Sequence, residues 1–420
     1  VRALWRQTRS FGPTARLLMA NQFAINLAFY MLMPYLAAHL ADDLGLAAWT
    51  VGLVLGVRNL SQQGMFLVGG TLADRFGPRG PIIAGCLLRT AGFALLGRVD
   101  SLPALLAASA ATGFAGALFN PAVRAYLAAE AGERRIDAFA VFNVYYQAGM
   151  LLGPLVGLAL LAVDFAAVCT VAATVFAALT VLQWRALPPH RGPREQRGEG
   201  VLAQWRTVVA NRPFLLFSGA MIGSYVLTFQ VYLALPLAAG LALDGGGGSG
   251  SAVTTGLFTV SAAVAVAGQL RLTGWVGRVW TPSAALVRGL AAMGAAFLPL
   301  AAFPWAGPGL RLAALGVAVA VLAAAGAVVY PFEMDTVVVL SGGRLVATHY
   351  GLYNTVSGLG ITLGNLGVGA LWDHGVRHHA LYLPWLVLAA TGLACAAAVH
   401  RLSRAGLLRP AARQPVPVPA

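Results

Sequence analysis

Few side chains in this sequence can do chemistry, and most of those that can stand inside apolar runs. Glu333 and Asp335 follow Pro331 within an otherwise apolar run over 310–340. A low-dielectric surrounding favours the neutral form of a carboxyl group, so an acid held there can exchange a proton near neutral pH. Glu333 is the first candidate for proton coupling and Asp335 the second. The competing reading has both acids simply meeting Arg344 or water near the inner end of the run. Arg58, flanked by Asn59, Gln62 and Gln63, and Arg89 in the next run form an intramembrane polar hub, and Arg288 lies in a later run. A charge at a helix centre costs about 2.5–3.5 kcal/mol on insertion scales, so such residues mark partners, water or function. Arg58 suits a structural hydrogen-bond hub and a cavity wall equally.

Other chemistries find little support. His39, His349, His374, His378 and His379 form no H-E-x-x-H pairing, and the group at 374–379 reads as solvated residues of an outer connection. Cys86, Cys169 and Cys395 are far apart in apolar runs, which suits packing and neither a zinc site nor a disulfide framework. The glycine-rich stretch 245–250 lacks the Lys and Ser/Thr of a phosphate-binding loop and reads as a flexible outer connection. The expectation is a protein that is no enzyme, binds no metal or organic cofactor, and draws on a proton gradient.

These residues need elements to position them. Of 420 residues, 59% are hydrophobic and 10% charged, against about 25% charged in soluble domains. Apolar runs long enough to span a bilayer, roughly 20 residues each, recur at 17–40, 50–72, 81–96, 102–127, 138–162 and 166–184. A second set falls at 213–241, 252–272, 282–302, 310–340, 347–372 and 381–402. The expected fold is an all-α membrane protein of about twelve transmembrane helices in two six-helix bundles, 1–184 and 213–402. A polar linker over 185–212 joins the bundles, and a disordered tail over 403–420 ends the chain.

The net charge of +14 comes from 28 basic residues, all of them Arg. They cluster between the runs on one side, with only Arg98, Arg311 and Arg377 in the other set of connections. That asymmetry places both termini in the cytoplasm of a cell membrane, plasma or inner. The Arg-rich linker suits anionic lipid headgroups, and no nucleic-acid partner is expected, because no basic stripe forms. Arg2, Arg6, Arg9 and Arg16 before the first run imitate a secretory signal, but that run is too long for one.

The halves repeat. Tyr30-Met-Leu-Met-Pro34 answers Tyr232-Leu-Ala-Leu-Pro236. Phe142-Asn143 with Gly149 and Gly153 answers Tyr353-Asn354 with Gly360 and Gly364, and Phe119-Asn120-Pro121 answers Val329-Tyr330-Pro331. Such duplication is how many secondary transporters build a midplane site between two rocking halves. One duplicated chain can enclose a site alone, so a functional monomer is expected.

Two motifs carry a family resemblance. Gly70-Thr-Leu-Ala-Asp74-Arg75-Phe-Gly77-Pro-Arg79, at the inner end of the second run, has a turn glycine and a carboxylate able to accept from Arg or a helix N-terminus. It resembles the signature loop of the major facilitator superfamily, which implies that Gly70, Asp74, Arg75, Gly77 and Arg79 form a cytoplasmic gate latch. Gly149, Gly153, Pro154 and Gly157 in the fifth run would let helices approach closely and bend. They resemble the family's antiporter motif.

The stretches Gly56-Val-Arg58-Asn-Leu-Ser-Gln62-Gln63-Gly64, Arg89-Thr-Ala-Gly92-Phe93 and Leu118-Phe119-Asn120-Pro121 resemble the multidrug-efflux branch of drug:proton antiporters. The family's fourth span often places Arg four residues before a Gly; here Ser109 precedes Gly113, which puts the coupling route in question.

The resemblance implies proton-coupled efflux of hydrophobic or amphipathic small molecules by alternating access. With no acid at mid-depth in the first run, cavity contacts fall to neutral groups: Asn26 and Tyr30 in the first run; Asn120, Tyr145 and Gln147 later in that half; Tyr225, Gln230 and Tyr353 in the second. Several committed charges in the cavity would instead favour a carrier of one specific metabolite. A transport-inactive membrane sensor or scaffold is the remaining alternative.

Overall fold

A backbone in lipid must satisfy its own N–H and C=O groups, and every long apolar run is helical. The computed structural model describes residues 2–188, 200–242 and 248–408. The first half contains α1 (Arg2–Arg9), α2 (Pro13–Ala38), α3 (Ala48–Phe76), α4 (Arg79–Leu96), α5 (Leu102–Ala131), α6 (Arg135–Leu161) and α7 (Phe165–Ala186). After α8 (Val201–Ala210), the second half contains α9 (Arg212–Phe229), α10 (Ala234–Ala242), α11 (Gly248–Val279), α12 (Pro282–Ala295), α13 (Pro308–Ser341), α14 (Val346–Arg377) and α15 (Tyr382–Arg404).

Nine apolar segments among the described residues are long enough to cross a membrane, one of which, Leu102–Leu161, holds both α5 and α6. The long helices α3 and α14 fall outside those nine. They carry Arg58, Asn59, Gln62 and Gln63, and Tyr353, Asn354 and Ser357, and they pack against each other. On that seam Gln63 lies against Gly358, while Arg58 and Gln62 turn into the first half.

Three details depart from the apolar pattern. The seventh span is two helices, α9 and α10, joined by a 3-10 turn at Gln230–Tyr232, where Pro236 cannot donate to the carbonyl of residue 232. The ninth span ends in 3-10 geometry over Leu298–Trp305, which contains Pro299 and Pro304. The polar connection at 185–212 contains α8, with Gln204 and Val208 buried; its residues 189–199 lie outside the described part, as do 243–247 of the glycine-rich connection and 409–420 of the tail.

Within the first half, α3 and α4 pack on α5, α2 on α6, and α4 on α7; within the second, α12 packs on α15 and α13, α11 on α13, and α9 on α14 and α15. The halves meet along α3 with α14, α6 with α11 and α13, and α5 with α14. Glycine sets the tightest approach. A Cβ on Gly70 would run into the Ala347 carbonyl, and one on Gly351 into that of Phe66.

Candidate functional site

The motif at the end of α3 reaches across the seam. Asp74 Oδ1 accepts from the Ala347 backbone N–H at 3.1 Å, and Oδ2 accepts from the Thr348 N–H and hydroxyl, each at 2.7 Å. These are donors of the first turn of α14, which intrahelical bonding leaves unsatisfied and where the helix dipole favours a negative charge. Gly77 takes a φ of 86° directly after α3, so the chain can turn into α4. Arg79 donates to the Trp184 carbonyl and ties α4 to α7. Arg75 lies over the Phe76 ring, 5.9 Å from its centroid, away from the seam contacts. Nearby, the Trp205 indole of α8 donates to the Thr71 hydroxyl at 2.8 Å.

A second bridge crosses the halves on the same side. Arg135 Nε of α6 donates to Asp335 Oδ1 of α13 at 2.5 Å. Asp335, read from sequence as a coupling candidate, is thus engaged in an inter-half ion pair. Deeper in, Asn143 donates to Gln269 Oε1 at 2.7 Å, and Gln269 Nε2 donates to the Ala327 carbonyl at 2.6 Å. That carbonyl is the one Pro331 leaves without its helical donor. An interruption in α13 thereby becomes the anchor of an inter-half chain.

Above these bridges lies a cavity of about 220 Å³, walled by both halves. Of the residues expected from sequence, Asn120, Gln147, Tyr225 and Glu333 line it. Glu333 is 3% exposed and accepts a hydrogen bond from Tyr353, which is itself fully buried. Five cavity candidates, Tyr353 among them, stand off the wall. Asn26 donates to the Gln22 carbonyl of its own helix, and the Tyr30 hydroxyl lies 3.2 Å from that of Tyr146. The Tyr145 hydroxyl pairs with Thr8 at 3.3 Å, and buried Gln230 donates to the Val226 carbonyl.

Sequence comparison agrees with this architecture. Residues 18–365 match the model of the Major Facilitator Superfamily. The chain belongs to the major facilitator superfamily. An uncharacterized MFS-type transporter of Mycobacterium tuberculosis is 54% identical over 397 residues, 94% of each chain. Multidrug resistance protein MdtH of Yersinia pestis is 30% identical over 403 residues, 95% of this chain and 96% of its own. Among solved structures, the fucose:proton symporter FucP of E. coli superposes with a TM-score of 0.74 at 13% identity, covering 92% and 98% of the two chains. The human organic anion transporter MFSD10 gives 0.69 at 18% identity, covering 95% and 100%. At such identities the two structures establish the fold alone.

Within this major facilitator fold the remaining motif residues are structural contacts. A Cβ on Gly149, Gly153 or Gly157 would meet the carbonyls of Phe23, Leu27 and Met31, so this stripe seats α6 directly on α2. The Pro154 carbonyl accepts from the Tyr35 hydroxyl at 2.7 Å across the same interface. The Arg58 and Arg89 guanidinium groups lie 5.2 and 4.7 Å from the centroid of the Phe29 ring, and Arg89 is 5.4 Å from that of Phe176. Arg58 also donates to Asn59 Oδ1 at 2.6 Å, and Gln62 and Arg89 both crowd Gly116. The three residues form a hub inside the first half, and none lines the cavity.

A charged wall residue escapes the sequence reading. Arg124 of α5 lines the cavity beside Asn120 and donates to Asn354 Oδ1 of α14 at 2.7 Å, across the halves. The signal is present in the sequence: Arg124 lies inside an apolar run, one helical turn beyond Asn120, on the same face.

Proposed function

We propose that this chain, a multi-pass membrane transporter of the secondary type and not an enzyme, carries amphipathic organic molecules in a proton-coupled manner by alternating access, that it works in efflux, and that its termini lie in the cytoplasm. The observation carrying this reading is Glu333, an acid on the wall of a cavity lined by both halves and bonded to Tyr353. Phe142, Phe229, Leu322 and Val329 give the wall its apolar part, which suits a hydrophobic body with few polar anchors. The name of the MdtH relative supports efflux. The halves 1–184 and 213–402 are the bodies that rock, and the bridges of Asp74 and Arg135 hold the terminal side shut.

The sign of the proton coupling is a separate matter. The glycines of the antiporter-type motif seat α6 on α2, a packing role that would serve either direction of proton movement. A carrier of one specific metabolite is the second reading, favoured by Arg124, a committed charge on the wall.

The test is flux and internal pH recorded together in proteoliposomes under an imposed proton gradient, with a panel of amphipathic cations, anions and neutral compounds. Proton-dependent flux is expected, and Glu333→Gln should leave flux that no longer responds to the gradient. Retained coupling in Glu333→Gln would remove Glu333 from the mechanism. No flux of any compound through correctly inserted protein would overturn the carrier reading.

A further inference from the structure

Two prolines hold equivalent places in the repeat, Pro121 in α5 and Pro331 in α13, and each is followed within one turn by a charge on the cavity wall. Arg124 comes from the first half and Glu333 from the second. They do not pair: the ion pairs among the described residues are His39–Asp43, Arg134–Asp137 and Arg135–Asp335.

The other groups facing Glu333 carry no formal charge. Tyr353 comes from α14, Ser224 and Tyr225 from α9, Tyr146 from α6, and Tyr330 lies on α13 itself. Helices α11 and α12 bring only Ser261 and Met293 to the wall. Arg124 is therefore the fixed charge of the lining among the described residues, and Glu333 the one that protonation can remove. Beside Arg124, Asn354 uses its carbonyl oxygen for the guanidinium, while its amide nitrogen is buried without a hydrogen-bond partner. The guanidinium also donates to the Tyr330 hydroxyl on the wall.

We propose that the cavity takes organic anions, amphipathic molecules whose carboxylate or similar acidic group seats on Arg124, and that each anion crosses together with a proton on Glu333. The proposal rests on the carrier reading above and fixes its substrate class and the sign of its coupling; efflux then runs down an outward anion gradient, with the proton leaving beside the anion. A planar guanidinium matches a carboxylate in a two-pronged geometry that a point charge lacks. With Glu333 ionised, an arriving anion meets one attractive and one repulsive charge; with Glu333 protonated, the attraction alone remains. Linkage makes the effect mutual, so anion binding and protonation favour each other by the same factor. Such cooperation loads both in one conformation, which is cotransport. A cation meets Arg124 in either protonation state and gains least when Glu333 is protonated. The anion would also compete with Asn354 for the guanidinium, so loading loosens one of the bonds between halves.

The experiment uses the full chain in lipid nanodiscs with 4-phenylbutyrate, 4-phenylbutyramide and 4-phenylbutylamine, which share an apolar body and differ in charge. The carboxylate is expected to bind about tenfold or more tightly than the amide, the amine weakest, with protons taken up from weakly buffered solution as the carboxylate binds. Arg124→Gln should lose the preference and Arg124→Lys keep part of it, which separates loss of the anion seat from misfolding. Glu333→Gln should bind the carboxylate without proton uptake. Charge-blind binding, preference for the amine, proton release by wild-type protein, or no binding of any probe would each overturn the anion assignment. Proton-dependent transport of the amide or amine without anion preference would do so while leaving the carrier reading intact.

Discussion

The carboxylate of Asp74 takes three donors from the start of α14, and its charge matters as much as its oxygens. An amide keeps an acceptor but loses the interaction with the helix N-terminus, together about 1–2 kcal/mol, enough to shift a two-state balance by roughly 5- to 30-fold. Asp74→Asn should therefore cut flux severalfold with membrane insertion unchanged, read in proteoliposomes against immunoblotted protein; wild-type flux would dismiss the latch. The Arg135–Asp335 pair invites a reversal. Arg135→Asp and Asp335→Arg should each impair flux, and the double exchange should recover much of it, a coupling that a double-mutant cycle isolates. Asp74 was legible because its neighbours stand at fixed short spacings. Its partner Thr348 was not, since nothing local in a sequence joins residues so far apart. Arg124 was visible as a charge in an apolar run, but its meaning comes from Asn354 and Glu333, which only the fold brings near.

Element by element, hydrophobicity located the spans, because helix is the conformation that satisfies an isolated backbone segment in lipid. It could not locate the breaks. Leu298–Trp305 is as apolar as its surroundings and Gln230–Tyr232 interrupts its run by a single amide, so proline placement is what distinguishes them. Nor did it find α8, too short and polar to read as a span yet seated against α3 through Trp205 and Thr71. The glycine stripe of α6 was recognisable as a motif, while its role as the seat for α2 needed the facing carbonyls. Overpacking usually costs about 1–3 kcal/mol, and here the obstruction is backbone that cannot rotate away. Gly157→Val should lower the unfolding temperature and yield of detergent-purified protein, whereas Gly56→Ala, with open space around its Cα, should change neither. Equal tolerance of both would contradict the close approach of α2 and α6.

At the scale of the molecule, the repeat maps α3 onto α11 and α6 onto α14, so the seams α3 with α14 and α6 with α11 are mates under one pseudo-twofold relation. Asn143 and Asn354 are mates as well, yet they have diverged. Asn143 bonds Gln269 in the other half, and Asn354 accepts from Arg124. Duplication supplied a symmetric frame, and the placement of Arg124 and Glu333 made its centre asymmetric. That centre is complete within one chain: the cavity wall, the Asp74 bridge and the Arg135–Asp335 pair all draw both partners from the same polypeptide. One copy would then supply the whole route. Reconstitution at limiting dilution tests this directly, because a monomeric carrier fills a fraction of vesicles that rises linearly with protein at low occupancy, while an obligate dimer gives a quadratic rise. A linear rise is expected, with the same flux per occupied vesicle across the dilute range, and quadratic onset would require an intermolecular contribution to the gate or cavity.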